Sequence, residues 1–111
     1  MDKLDNYREI IKNIIYEYGT HKPANGQIDV EIVIDPERDH YEVIHVGWDG
    51  VRRVCGSVVH IDIINGKIWI QYDGCSQPVA EALLEAGITS DMIVLGFHPE
   101  ELRQHTGFAI S

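Results

Sequence analysis

The spacing of apolar residues changes twice along this chain. Near the start, Leu4, Tyr7, Ile11, Ile14 and Tyr18 recur at three- and four-residue intervals, with Ile10 and Ile15 widening the stripe. This is the pattern of an amphipathic helix with one face to bury. Asp2 or Asp5 supplies the negative charge that a helix N-terminus favours, Gly19 marks a stop, and Pro23 opposes continuation. From Ile28 the period falls to two. Ile28, Val30, Ile32 and Ile34 alternate with Asp29, Glu31, Val33 and Asp35, which predicts a half-buried strand. Residues 35–39 read as a turn, 41–48 as a second strand, 52–64 as a long third strand and 67–72 as a fourth. Asp49-Gly50 and Asn65-Gly66 are two-residue hairpin signals, so the four strands form an antiparallel meander.

Strand alternation also assigns faces. If Asn65-Gly66 closes a two-residue loop, Ile64 pairs with Lys67, Asp62 with Trp69 and His60 with Gln71. Val59, Ile61 and Ile63 then share an apolar face with Ile68, Ile70 and Tyr72, and this face should carry the helices. The opposite face shows His60, Asp62, Lys67, Trp69 and Gln71, joined by His45 and Arg52 if Asp49-Gly50 closes its hairpin in the same way. Beyond Asp73-Gly74 the helical period returns over 76–86, with Ser76 as cap, Pro78 in the first turn, Val79 and Leu83 on one stripe and Gly87 as the stop. Residues 92–97 read as a short strand at the sheet edge, 98–103 as a helical turn or two, and the chain closes on Phe108-Ala109-Ile110. The expected fold is α+β: an N-terminal helix, a four-stranded antiparallel meander with helices on one face, a second helix, and a short C-terminal strand and tail. The whole, 1–111, is one domain.

Composition narrows the function classes. Eighteen acidic residues against nine basic give a formal net charge of −9. Phosphate neutralisation by Lys and Arg supplies most non-specific DNA affinity, so direct nucleic-acid binding by this chain alone is not expected. This acidity is compatible with a partner whose surface is basic. Cys55 and Cys75 have no metal-type spacing and read as reduced thiols, Cys55 as a buried packing group on the apolar side of its strand. The start of the chain lacks the apolar run of a signal peptide, and no segment has the roughly 20 apolar residues that span a bilayer. No membrane association and a cytoplasmic location are expected.

The middle of the chain carries a set of motifs in order: Arg38-Asp39-His40-Tyr41, His45-Val46-Gly47-Trp48-Asp49-Gly50, Arg52-Arg53-Val54, Val59-His60-Ile61-Asp62-Ile63 and Gly66-Lys67-Ile68-Trp69-Ile70-Gln71. Tyr7-Arg8-Glu9-Ile10-Ile11 precedes them. Asp91-Met92-Ile93-Val94-Leu95-Gly96-Phe97-His98-Pro99 and Thr106-Gly107-Phe108-Ala109 follow. Over nearly its full length the chain resembles the XisI family, the fdxN element excision controlling factors of cyanobacteria. Glu100 stands where the family pattern has a second proline after His98-Pro99. The resemblance implies a role beside an XisH-like protein in controlling excision of a DNA element by a site-specific recombinase, and with no catalytic constellation in the chain a non-enzymatic role is expected. It implies no catalytic residue.

Four groups of residues are candidates for chemistry. The histidines His40, His45, His60, His98 and His105 lack H-E-x-x-H or similar spacing, so ordinary hydrogen bonding is expected and no metal, cofactor or catalytic residue is assigned. The rival reading is a small metal-dependent enzyme or nuclease subunit using His45, His60 and Asp62. The polar sheet face formed by His45, Arg52, His60, Asp62, Lys67, Trp69 and Gln71 is the candidate partner interface, since Trp and Arg are enriched at binding hot spots. Its partner is an XisH-like protein or a second copy of this chain, forming a homo-oligomer. Arg38, Arg52 and Arg53, with Lys67, are expected to pair with carboxylates rather than phosphate. Cys55 and Ser57 lie in no nucleophile motif.

Overall fold

The computed structural model describes residues 3–20 and 26–111. Asp2 and Pro23, read above as helix-boundary signals, lie outside the described residues. Helix α1 spans Lys3–Gly19 and buries Tyr7, Ile11, Ile14 and Ile15, the centre of the predicted stripe. Each such side chain contributes about 1.5–3 kcal/mol of burial energy. Four strands follow: β1 (Gln27–Asp35), β2 (His40–Asp49), β3 (Arg52–Ile64) and β4 (Lys67–Asp73). They pair antiparallel in chain order, as the hairpin signals require. The Asn65-Gly66 turn has positive φ at both residues, 51° and 78°, the mirror-image turn whose twist matches the flanking strands.

After β4 the chain crosses the sheet as α2 (Val79–Glu85) and returns as β5 (Ile93–Leu95), parallel to β4. The sheet is therefore mixed. A parallel return needs a crossover, and α2 is that crossover. Ser76 does not cap α2. Asp73 does, accepting a 2.8 Å hydrogen bond from the Val79 amide and a 3.1 Å bond from the Cys75 amide. One turn of helix, α3 (Glu100–Arg103), and the tail complete the chain, with Ala109 bridging β5. α1 and α2 lie on the same side of the sheet, over a single cluster that includes Tyr41, Val43, Val59, Ile61, Ile68, Ile70 and Leu83. At the outer end of α1, Arg8 grips the β1–β2 turn. Its Nε and Nη2 donate to the two carboxylate oxygens of Asp39 at 2.7 and 3.2 Å.

Three further details depart from the sequence reading, and these concern register. The β2–β3 hairpin closes on Gly50-Val51, with Asp49 opposite Arg52. This moves each residue's partner by two positions, an even step that keeps the predicted faces. The other two are bulges, each adding one residue to one strand. On β3, Val58 is extra: Ser57 faces Ile44 and Val59 faces Val43. On β4, Gln71 is extra: Ile70 faces Ile61 but Tyr72, not Gln71, faces His60. A bulge reverses the alternation beyond it. Hence Tyr72 leaves the apolar face and is 49 % exposed. Cys55, which a regular strand would place with Val59 and Ile61, turns to the opposite face and is exposed.

Candidate functional site

The β3 bulge divides the predicted polar face into two places. His45 and Arg52 lie on the helix side of the sheet. They line a cleft of about 550 Å³ with Glu17, Tyr18, Val54 and Val58. His60, Asp62, Lys67, Trp69 and Gln71 lie on the far side. The grouping of His45 and Arg52 with His60 and Asp62 is thus corrected, and the triad His45, His60 and Asp62 cannot converge on one ion.

The far side instead assembles a cluster that the sequence reading did not pair. Along β2, His40 and Glu42 are two residues apart and share a face; along β3, His60 and Asp62 do the same. The antiparallel register sets His40 opposite Asp62 and Glu42 opposite His60. Each imidazole therefore meets a carboxylate across the strands and another along its own strand. His40 Nδ1 lies 2.9 Å from Asp62 Oδ1, and His40 Nε2 lies 3.4 Å from Glu42 Oε2. His60 Nδ1 is 3.9 Å from Glu42 Oε1, and His60 Nε2 is 3.3 Å from Asp62 Oδ2. The last distance suits a hydrogen bond but the direction does not, and the buried His60 Nε2 has no hydrogen-bond partner among the described residues. The two rings meet edge to face with centroids 4.6 Å apart. Gln71 donates from Nε2 to Asp62 Oδ2 at 3.2 Å, a contact that the β4 bulge leaves in place.

All four side chains are half-buried, the carboxylates more than the rings. Burial pushes the His40 pKa down, but hydrogen bonds to Asp62 and Glu42 outweigh it and leave it above the usual imidazole value. The two carboxylates thus favour the protonated form of His40. Glu42 escaped the sequence reading, yet a signal existed: the triplets His-Tyr-Glu and His-Ile-Asp on neighbouring strands, each placing acid and base on one face.

The same face carries two tryptophan–arginine stacks. Arg103, from α3, lies over Trp69 at 5.1 Å from the ring centroid and half-buries it within the chain. Lys67 Nζ donates to the carbonyl of Ser111, fixing the tail beside it. Arg53 lies over Trp48 at 5.2 Å, and here the ring is 50 % exposed. Trp48 and Arg53 face each other across β2 and β3 on the side away from both long helices. No described helix is long and apolar enough to cross a membrane.

These features define a class: a small α+β protein with a five-stranded mixed sheet, α1 and α2 on one face, and a largely polar second face holding a His/carboxylate cluster and an exposed Trp–Arg pair. Residues 1–110 match the model of the XisI protein family. The chain belongs to that family. Two solved structures from Anabaena variabilis are similar along their full length. An XisI-like protein superposes with a TM-score of 0.91 at 34 % identity, covering 98 % of this chain and 100 % of that one. The fdxN element excision controlling factor XisI superposes with a TM-score of 0.87 at 38 % identity, covering 99 % of this chain and 100 % of that one. No curated protein matches the sequence.

Proposed function

We propose that this chain is a non-enzymatic controlling factor for excision of a DNA element by a site-specific recombinase, and that it acts by binding an XisH-like protein. The observation that carries the reading is membership of the XisI family over nearly the whole chain, together with a relative of the same fold named as an fdxN element excision controlling factor. Charge supports action through protein rather than DNA. At a net −9 the chain opposes phosphate, and its exposed Arg38 and Arg52 pair with Asp35 and Asp49. The sheet face away from α1 and α2 supplies the surface. Trp48 with Arg53 at one end and Trp69 with Arg103 at the other are the residue types that dominate binding energy at interfaces.

An excision reporter tests the role. A plasmid carrying the element is given the recombinase and the XisH-like protein, with and without this chain. Excision that depends on the chain is the expected result. Equal excision in its absence contradicts the proposal. Binding of the isolated chain to duplex DNA at physiological salt, steeply weakened by added salt, would move the reading to direct DNA contact.

A further inference from the structure

The His40–Glu42–His60–Asp62 square has two sides with different chemistry. Asp62 faces one nitrogen of each ring: Nδ1 of His40 at 2.9 Å and Nε2 of His60 at 3.3 Å. Glu42 faces the other nitrogen of each ring: Nε2 of His40 at 3.4 Å and Nδ1 of His60 at 3.9 Å. A histidine that ligates a metal through one nitrogen characteristically donates the other N–H to a carboxylate, which fixes tautomer and ring orientation. Glu42 takes that outer position for His40 and lies within ion-pair reach, at 3.9 Å, of His60 Nδ1. Gln71 plays the same part for Asp62, holding one carboxylate oxygen at 3.2 Å.

We propose that His40 Nδ1, His60 Nε2 and an Asp62 carboxylate oxygen bind a divalent transition-metal ion of the zinc type, with Glu42 and Gln71 as orienting partners. One donor atom from each of the three residues lies within 4.8 Å of the others. Around a tetrahedral zinc, with bonds of about 2.0–2.2 Å, donor atoms sit roughly 3.4 Å apart. The His40 Nδ1–Asp62 Oδ1 and His60 Nε2–Asp62 Oδ2 separations, 2.9 and 3.3 Å, lie near this spacing but reach different oxygens, so closing on one ion needs a turn of the Asp62 carboxylate. Binding also gives the buried His60 Nε2 the partner it lacks. The two carboxylates balance the ion's two charges while both imidazoles stay neutral. Two imidazoles and one carboxylate are a donor set for zinc or iron and a poor one for magnesium or calcium. Three protein donors leave at least one coordination position for water or a donor from outside the chain. The site is independent of partner binding and stands or falls separately from it.

The test uses tag-free protein in a Cys55→Ser background, since the exposed thiol is a competing zinc ligand. Chelator-treated protein is titrated with zinc chloride against a chromophoric competitor. One ion per chain with a Kd of about 10 μM or tighter is expected. His60→Ala and Asp62→Asn should weaken binding about 100-fold or more, and Glu42→Gln about tenfold. His45→Ala and His105→Ala should leave it unchanged. Binding weaker than about 100 μM, or undiminished in folded His60→Ala, overturns the assignment. If either cluster variant fails to fold, ring-nitrogen resonances of the unmutated chain decide. Zinc must shift those of His40 and His60, and shifts confined to other histidines refute the site.

Discussion

Truncating Ile70 and truncating Tyr72 to alanine should cost very different amounts, although the two residues would share a face in a regular strand. Ile70 is fully buried, opposite Ile61 beneath the helices, whereas the bulge at Gln71 turns Tyr72 out to 49 % exposure. Ile70→Ala removes three carbons, worth about 2.4 kcal/mol at about 0.8 kcal/mol each. The partly relaxed cavity adds about 1 kcal/mol, for a total of roughly 3–4 kcal/mol. Tyr72→Ala leaves no enclosed cavity and should cost about 1 kcal/mol. A domain of this length has roughly 6–17 kcal/mol of stability, so both variants stay folded and measurable. Urea unfolding followed by circular dichroism reads the difference. With a slope near 1.5 kcal/mol/M, the midpoint should fall by about 2 M for Ile70→Ala and about 0.7 M for Tyr72→Ala. Equal losses, or a larger loss at Tyr72, would mean that β4 runs without the bulge and that Tyr72 belongs to the core.

Further expectations follow from single contacts. A Cβ on Gly47 would stand 2.0 Å from the Gln27 carbonyl and 2.7 Å from Ile28 Cα, both backbone, so Gly47→Ala should loosen β1 and raise hydrogen exchange along it; unchanged protection of β1 would contradict the close approach. Tyr41 is fully buried, and burial first, then the Asp39 charge, pushes its hydroxyl up to about 12. Its ionisation disfavours the folded state, so the Tyr41 contribution should hold below about pH 10 and fade as pH climbs through about 12. Absorbance titration should then find one tyrosine ionising far later than an exposed one, and its loss in Tyr41→Phe checks the assignment. In the native protein a thiol reagent should label Cys55 quickly and Cys75 slowly. Cys75 is half-buried against the core and burial raises its thiol pKa. Equal labelling rates would return Cys55 to the apolar face.

Much of the fold was legible because local chemistry and global pattern agree. Tyr7, Ile11, Ile14 and Ile15 could form only one stripe, and Asn65-Gly66 could adopt its two positive φ angles at little cost. Alternation then fixed the faces near that turn, and Ile61, Ile63, Ile68 and Ile70 lie where it places them. What stayed hidden is the bulge. Val58 and Gln71 carry no residue-type signal, yet each adds one position and reverses every face beyond it. The displacement of His45 and Arg52 from the cluster and the exposure of Cys55 trace to Val58, and the exposure of Tyr72 traces to Gln71. The cap on α2 was missed for a related reason. Asp73 reaches forward from the end of β4 to the Val79 amide, six residues along, beyond the span in which Ser76 would act. The His40/Asp62 and Glu42/His60 pairs were half visible. The triplets show in the sequence, but their opposition needs the β2–β3 register beyond the bulge.

Direct titration of this chain with the XisH-like protein tests the central proposal most directly. Purified separately and mixed near physiological salt, the two should form one complex by analytical ultracentrifugation, with a Kd in the micromolar range or tighter. Trp48→Ala or Trp69→Ala should weaken it about tenfold or more while leaving the thermal unfolding of the free chain near that of the unmutated protein. Two species that sediment independently at tens of micromolar would contradict the account.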